Sequence, residues 1–193
     1  MNENIKKILP FTMTPIERCI NLEKLIKSVN AENILGSLVE CGVWKCGLLG
    51  LMKLSDKSYG GSREVVGFDS FRYVPPPDTK EDLSISLLQA KNNLKIMGAE
   101  DCILHEGYFH ETFPRVRDSI KNISILRIDA GLYEVTKLCL EEFYSKVSIG
   151  GYVIIDDYGH YKECKKAVDE FRENNNIHSK IVHTDYTEIW WKK

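Results

Sequence analysis

The 193-residue sequence predicts an α/β domain, a doubly wound, mostly parallel seven-stranded sheet closed by a C-terminal antiparallel hairpin. Two observations predict it. Short runs of branched apolar residues, continuous rather than alternating, recur between segments of helical period, as in parallel strands covered on both faces. The last two runs, KIVHTD and EIWW, have only a tight turn at Tyr186 between them, so they must pair antiparallel.

Each element has a local reason. Thr14-Pro15-Ile16-Glu17 offers a capping residue, a proline and an acid ahead of Leu22, Leu25, Ile26 and Val29, which predicts a helix from about 14 to 30. The strand-like run SLVECGV follows, then a Leu-rich helix from Gly47 to Leu54 and the strand EVVGFDSF, which ends at Asp69. Three consecutive prolines make Tyr73 to Asp78 an extended loop. Leu83, Leu87, Ala90, Leu94 and Met97 repeat with a helical period, and Gly98 stops that helix. The strand CILHE, a helix near Phe113 to Ile120, the strand ISILRID and a helix from about Val135 to Tyr144 come next. Gly150-Gly151 leads into the strand YVIID, and Ala167, Val168 and Phe171 mark a last helix. Five strand–helix repeats followed by a hairpin is the Rossmann-like plan of class I methyltransferases. Residues 1–36 are expected to form a helical segment packed on a methyltransferase domain of residues 37–193.

Composition removes several classes of function. Apolar residues at 43% and charged residues at 28% match an ordinary globular core and exclude disorder. The 26 basic and 28 acidic residues are interspersed, which leaves no electrostatic footprint for nucleic acid. The start, MNENIKKILPFTMTP, is broken by Pro10 and makes no secretory leader, and no run is long enough to cross a bilayer, so a cytoplasmic protein is expected. The six cysteines (19, 41, 46, 102, 139 and 164) lack C-x-x-C spacing and read as reduced core thiols rather than a zinc site.

In an open α/β sheet, ligands bind beyond the carboxyl ends of the strands. Here those ends carry Glu40, Asp69, Glu106, Asp129, Asp156 and Asp157, an acidic edge that calls for something cationic. In the first loop, VECGVWKCG, Gly42 admits close approach of backbone to a ligand and Gly47 lets the next helix pack tightly. Gly42, Gly47 and Gly50 do not have the G-x-G-x-x-G spacing of a pyrophosphate site. An acid before the first glycine suits an ammonium or sulfonium. With Asp69 placed for two ribose hydroxyls, the loop fits S-adenosylmethionine better than NAD; the other reading is an ordinary strand–helix turn. Asp129, Asp156 and Asp157 end neighbouring strands, and three converging carboxylates suit magnesium, manganese or calcium. The other reading is that Asp156-Asp157 opens a turn and caps the next helix. A metal-dependent hydrolase would use the same acids, but it has no need of VECGVWKCG.

VECGVWKCG, VGFDSF followed by PPP, EGYFHETFP, LRIDAGLYEVT, and GGYVIIDDYG followed by CKKAVDEFR occur in the order of the TylF-type macrocin O-methyltransferase family. The chain resembles that family over about residues 37 to 192. The resemblance implies transfer of a methyl group from S-adenosylmethionine, with Mg²⁺, to a hydroxyl of a sugar or polyol in a small molecule such as a natural product. It implies metal ligation by Asp129, Asp156 and Asp157. It also implies a cofactor pocket of Glu40, Gly42, Val43, Trp44, Gly47, Asp69, Ser70 and Asp129, with Gly107, Tyr108 and Phe109 toward the adenine, and it is compatible with a homodimer.

Two departures stand out. The family pattern L-R-x-D-G-D-x-Y-E-S-T has its second aspartate, thought to act as base, replaced by Gly131, and its serine by Val135. Members also commonly carry a longer N-terminal region over the acceptor. Without that aspartate, His160 and Asp129 are the candidate catalytic groups, since a histidine titrates near neutrality. The alternative is a cofactor-binding relative with weak or lost activity.

Overall fold

The computed structural model describes residues 2–72 and 83–193. The predicted proline loop at Tyr73 to Asp78 lies outside them. Helices α1 (Glu3–Ile8) and α2 (Ile16–Ala31) precede strand β1 (Ser37–Cys41), and the order continues α3 (Gly47–Ser58), β2 (Val65–Asp69), α4 (Leu87–Met97), β3 (Ile103–Glu106) and α5 (Phe109–Val116). It ends β4 (Ile123–Ile128), α6 (Tyr133–Phe143), β5 (Val147–Ile155), α7 (Lys162–Asn174), β6 (Val182–His183) and β7 (Ile189–Lys192).

The seven strands lie in the order β3-β2-β1-β4-β5-β7-β6. β1 pairs parallel with both β2 and β4, so the winding reverses between β1 and β4. β7 runs antiparallel to β5 and β6, as the closing hairpin requires. Because side chains alternate across a strand, each apolar run feeds both faces. Leu38, Val65, Ile125 and Ile154 meet α1 to α4, whereas Val39, Val66, Leu126 and Val153 meet α5 to α7. Trp191 is fully buried in the second layer, and Trp190 packs on the first, edge-on to Tyr152 at 5.5 Å.

Four local expectations change. A short helix, α1, precedes the predicted first one; Asn2 Oδ1 caps it by accepting from the Asn4 N–H at 3.0 Å, and Ile5 and Ile8 are its buried residues. α2 has Pro15, not Thr14, at its cap, and no side chain bonds its first turn. α5 begins at Phe109 rather than Phe113; Ile120, expected to be helical, is a buried residue of the turn before β4. β5 starts at Val147, before the glycine pair. Gly150 takes φ +86° there, and the pairing with β4 jumps from Ile123↔Val147 to Ile125↔Tyr152.

Candidate active site

A cleft of about 940 Å³ opens beyond the carboxyl ends of the parallel strands. All the candidate cofactor and catalytic residues line it: Glu40, Gly42, Val43, Trp44, Gly47, Asp69 and Ser70 along one side, Gly107, Tyr108 and Phe109 beyond, and Asp129, Asp156, Asp157 and His160 across from them. Residues 11–15 and Arg18 close it from the N-terminal segment.

The strand ladder positions the acids. Asp129 N–H donates to the Cys41 carbonyl at 2.9 Å and Asp156 N–H to the Ile128 carbonyl at 3.0 Å, so pairing continues into the first residues of the site. Gly42 is required by this closeness: at φ +88°, a methyl group there would lie 2.2 Å from the Asp129 carbonyl oxygen. Its smallness therefore serves the β1–β4 contact. Gly47 does the same for the N-terminal segment, since a methyl group there would lie 2.5 Å from the Phe11 carbonyl oxygen.

Asp69 ties down the first loop. Its Oδ2 accepts from the N–H groups of Val43 and Trp44 at 3.0 and 2.9 Å, and its Oδ1 from the Phe71 N–H at 3.0 Å. Trp44 and Cys46 hold left-handed backbone, at φ 42° and 65°, a strained shape for non-glycine residues that the aspartate stabilises. At the far end the Gly107 N–H donates to the Asp69 carbonyl at 3.0 Å, and the Phe109 ring stacks on Phe113 at 4.9 Å. Tyr108 is exposed, with the Arg72 guanidinium 5.9 Å from its ring centre.

Asp129, Asp156 and Asp157 each present an oxygen within 4.8 Å of the others. Two arginines, neither singled out in the sequence, stand among them. Arg127, 1% exposed and next to last in β4, donates to Glu40 Oε1 at 2.7 Å, to Asp129 Oδ2 at 3.0 Å and to Asp156 Oδ1. Arg18 donates to Asp156 Oδ2 at 2.7 Å. Burial, then the neighbouring Asp156, hold the Asp129 carboxyl well above the ordinary carboxylate range and raise Asp157 to about 6. Burial pushes Glu40 to about 7 despite Arg127, and its Oε2 is buried without a hydrogen-bond partner. Four carboxyl groups thus crowd two guanidiniums, and burial favours the protonated form of three of them, Glu40, Asp129 and Asp157, while no cation is bound.

His160 and Gly131 both lie against Tyr161. His160 is exposed, its backbone N–H donating to the Asp157 carbonyl at 3.1 Å, and its ring meets Tyr161 edge-on at 4.4 Å. A methyl group on Gly131 would lie 2.4 Å from the Tyr161 ring. Tyr161 thus covers the place where a side chain at 131 would stand. Arg127 had a signal in the sequence, a lone charge inside the apolar run ISILRI. Arg18 had one too, falling on the helical stripe of Leu22, Leu25 and Val29.

The strand order, the loop after β1 and the acidic strand ends define a class I S-adenosylmethionine-dependent O-methyltransferase. The macrocin-O-methyltransferase (TylF) family model matches residues 6–193. The chain belongs to that family. It is 32% identical to demethyldecarbamoylnovobiocin O-methyltransferase of Streptomyces niveus, over 94% of this chain and 75% of that one. It is 29% identical to mycinamicin III 3''-O-methyltransferase of Micromonospora griseorubida, over 94% and 78%. Among solved structures, the O-methyltransferase NovP superposes with a TM-score of 0.88 at 31% identity, covering 95% of this chain and 82% of that one. The calicheamicin methyltransferase CalS11 shares the fold, with a TM-score of 0.74 at 19% identity, covering 97% and 89%.

Proposed function

We propose that the protein methylates a hydroxyl of a sugar or polyol carried by a small molecule, with a divalent cation held by Asp129, Asp156 and Asp157. The observation that carries this reading is the convergence of those three carboxylates on the floor of the cleft. Their hard oxygens, converging within one coordination sphere's reach, suit a dication such as magnesium. The residues present fit the metal. Bound there, it supplies positive charge that lowers the pKa of an acceptor hydroxyl. The compounds in the relatives' names, demethyldecarbamoylnovobiocin and mycinamicin III, support a natural-product acceptor.

Methyl transfer from a sulfonium is an in-line displacement, and the chain's task is to align the two reactants and remove a proton. Asp69 and the loop it holds, from Gly42 to Gly47, seat the nucleoside end of S-adenosylmethionine, with Ser70 beside them. Glu40 faces the cationic end, and Gly107, Tyr108 and Phe109 border the adenine. His160, which lines the same cleft and whose backbone N–H donates to the Asp157 carbonyl, takes the hydroxyl proton on a ring nitrogen. Tyr161, lying on Gly131, walls the acceptor end.

A second reading, cofactor binding with weak turnover, draws on the Tyr161 ring that fills the space beside Gly131. Two measurements test the pair. Titration calorimetry with S-adenosylhomocysteine and Mg²⁺ is expected to show both binding to the wild type and only the metal lost in an Asp156→Asn, Asp157→Asn variant. Formation of S-adenosylhomocysteine from S-adenosylmethionine in the presence of rhamnosides and related diols, absent in His160→Ala, supports catalysis. Cofactor binding without turnover on any such acceptor supports the second reading, and no cofactor binding sinks both.

A further inference from the structure

The cover of the cleft and its acidic floor are joined through one side chain. Arg18 lies in the first turn of α2, directly after the segment 11–15 that closes the cleft, and it is buried. Its guanidinium forks. Nη1 donates to Asp156 Oδ2 at 2.7 Å, Nε to Asp185 Oδ2 at 2.6 Å, and Nη2 to the Thr187 hydroxyl. Asp185 is itself fixed, because its Oδ1 accepts from the N–H groups of Thr187 and Glu188, both at 2.8 Å. With Arg127 on Oδ1, both oxygens of Asp156 carry a guanidinium.

We propose that Arg18 is a positioning residue that competes with the divalent cation for Asp156, so that metal occupancy and the seating of the N-terminal segment oppose each other. The inference rests on the reading of Asp129, Asp156 and Asp157 as a metal site. A dication drawing on Asp156 is repelled by any cation already bonded to that carboxylate. Arg127 cannot yield, because it is locked in a central strand and bonded to two other acids. Arg18 can, because it holds Asp156 through Nη1 alone, from the first turn of a helix that no side chain caps. Linkage makes the effect reciprocal: whatever affinity the metal gains when Arg18 is removed, the seating of Arg18 loses when the metal binds. Cofactor and acceptor would then meet a looser cover in the metal-loaded enzyme than in the metal-free one.

The test is Mn²⁺ binding to the full-length protein, read from loss of the free-ion electron paramagnetic resonance signal, with no turnover involved. Folding of each variant is checked by near-ultraviolet circular dichroism and S-adenosylhomocysteine binding. Arg18→Gln is expected to bind Mn²⁺ about tenfold more tightly than wild type, a coupling of ordinary size. Arg18→Lys, which keeps the charge without the fork, is expected to fall between. In the wild type, Mn²⁺ is expected to speed amide hydrogen exchange in residues 11–18 and 184–188. That measurement needs no variant, so a misfolded Arg18→Gln leaves it standing. Equal or weaker Mn²⁺ binding by a folded Arg18→Gln, or exchange unchanged by Mn²⁺, overturns the role of Arg18. If at the same time Asp157→Asn abolishes the wild-type binding, the metal reading survives that failure. No Mn²⁺ binding by wild type or Arg18→Gln removes the metal reading and this inference together.

Discussion

Replacing Arg127 by methionine keeps the bulk of the side chain in β4 and removes its charge. Glu40, Asp129 and Asp156 then lose the guanidinium that donates to all three. Arg127 is 1% exposed and Glu40 also 1%, so water cannot take its place at Glu40. Removing one partner of a buried pair costs about 3–5 kcal/mol. For a chain of this size that corresponds to a fall in Tm of roughly 6–20 °C. The loss must depend on pH, since a carboxyl left alone in a buried place escapes by protonation. Urea unfolding at pH 5.5 and pH 8 measures it: the variant should be destabilised at both and more strongly at pH 8. A loss under about 1 kcal/mol at pH 8 refutes the argument, because it lies below the cost of even one orphaned buried charge. So does an equal loss at the two pH values.

Three further outcomes are expected. Wild-type protein without metal should lose stability as pH rises from about 4.5 to 7, measured by thermal unfolding in low salt. The sign follows from Glu40 and Glu188, which burial raises to about 7 in the folded state; folded protein binds the extra protons, and that advantage disappears above their folded pKa. Stability that increases over this window counts against the buried acids as placed. Gly131→Ala should be destabilised by about 1–3 kcal/mol through its clash with the Tyr161 ring, and Gly131→Ala with Tyr161→Ala should recover part of that loss; strict additivity in chemical denaturation would show that the two do not touch. Asp69→Asn should weaken S-adenosylhomocysteine binding tenfold or more in calorimetry, because an amide cannot accept from all three loop N–H groups in the same geometry. Unchanged affinity would mean that the loop keeps its shape without the carboxylate.

The sheet was legible because parallel strands covered on both faces are continuous apolar runs, and ISIL and YVII could hardly be anything else. The acids at the strand ends were legible for the same reason, since they are where those runs stop. Sequence patterns were weaker guides where neighbours decide. The helix expected near Phe113 to Ile120 starts four residues earlier, at Phe109, and the burial of Ile120 belongs to a turn. α1 was missed because its two buried isoleucines, Ile5 and Ile8, make too short a pattern to read alone. The arginines illustrate a deeper limit. Arg127 interrupts the apolar run of β4 and Arg18 falls on the apolar stripe of α2, and only the folded sheet reveals that carboxylates from residues 40, 129, 156 and 185 surround them.

The Arg18 clamp also sets a clock on synthesis. Its partners Asp185 and Thr187 lie 167 and 169 residues further along the chain. At about 5–20 residues per second, they leave the ribosome roughly 8–30 s after Arg18 does. From the emergence of Asp156 until that of Asp185, Arg18 has only one of its three partners, and β5 has no β7 at its edge. A chain cut short before Asp185 therefore joins α2 to the acidic edge through the Arg18–Asp156 pair alone, without the two groups that fix the other nitrogens of the guanidinium.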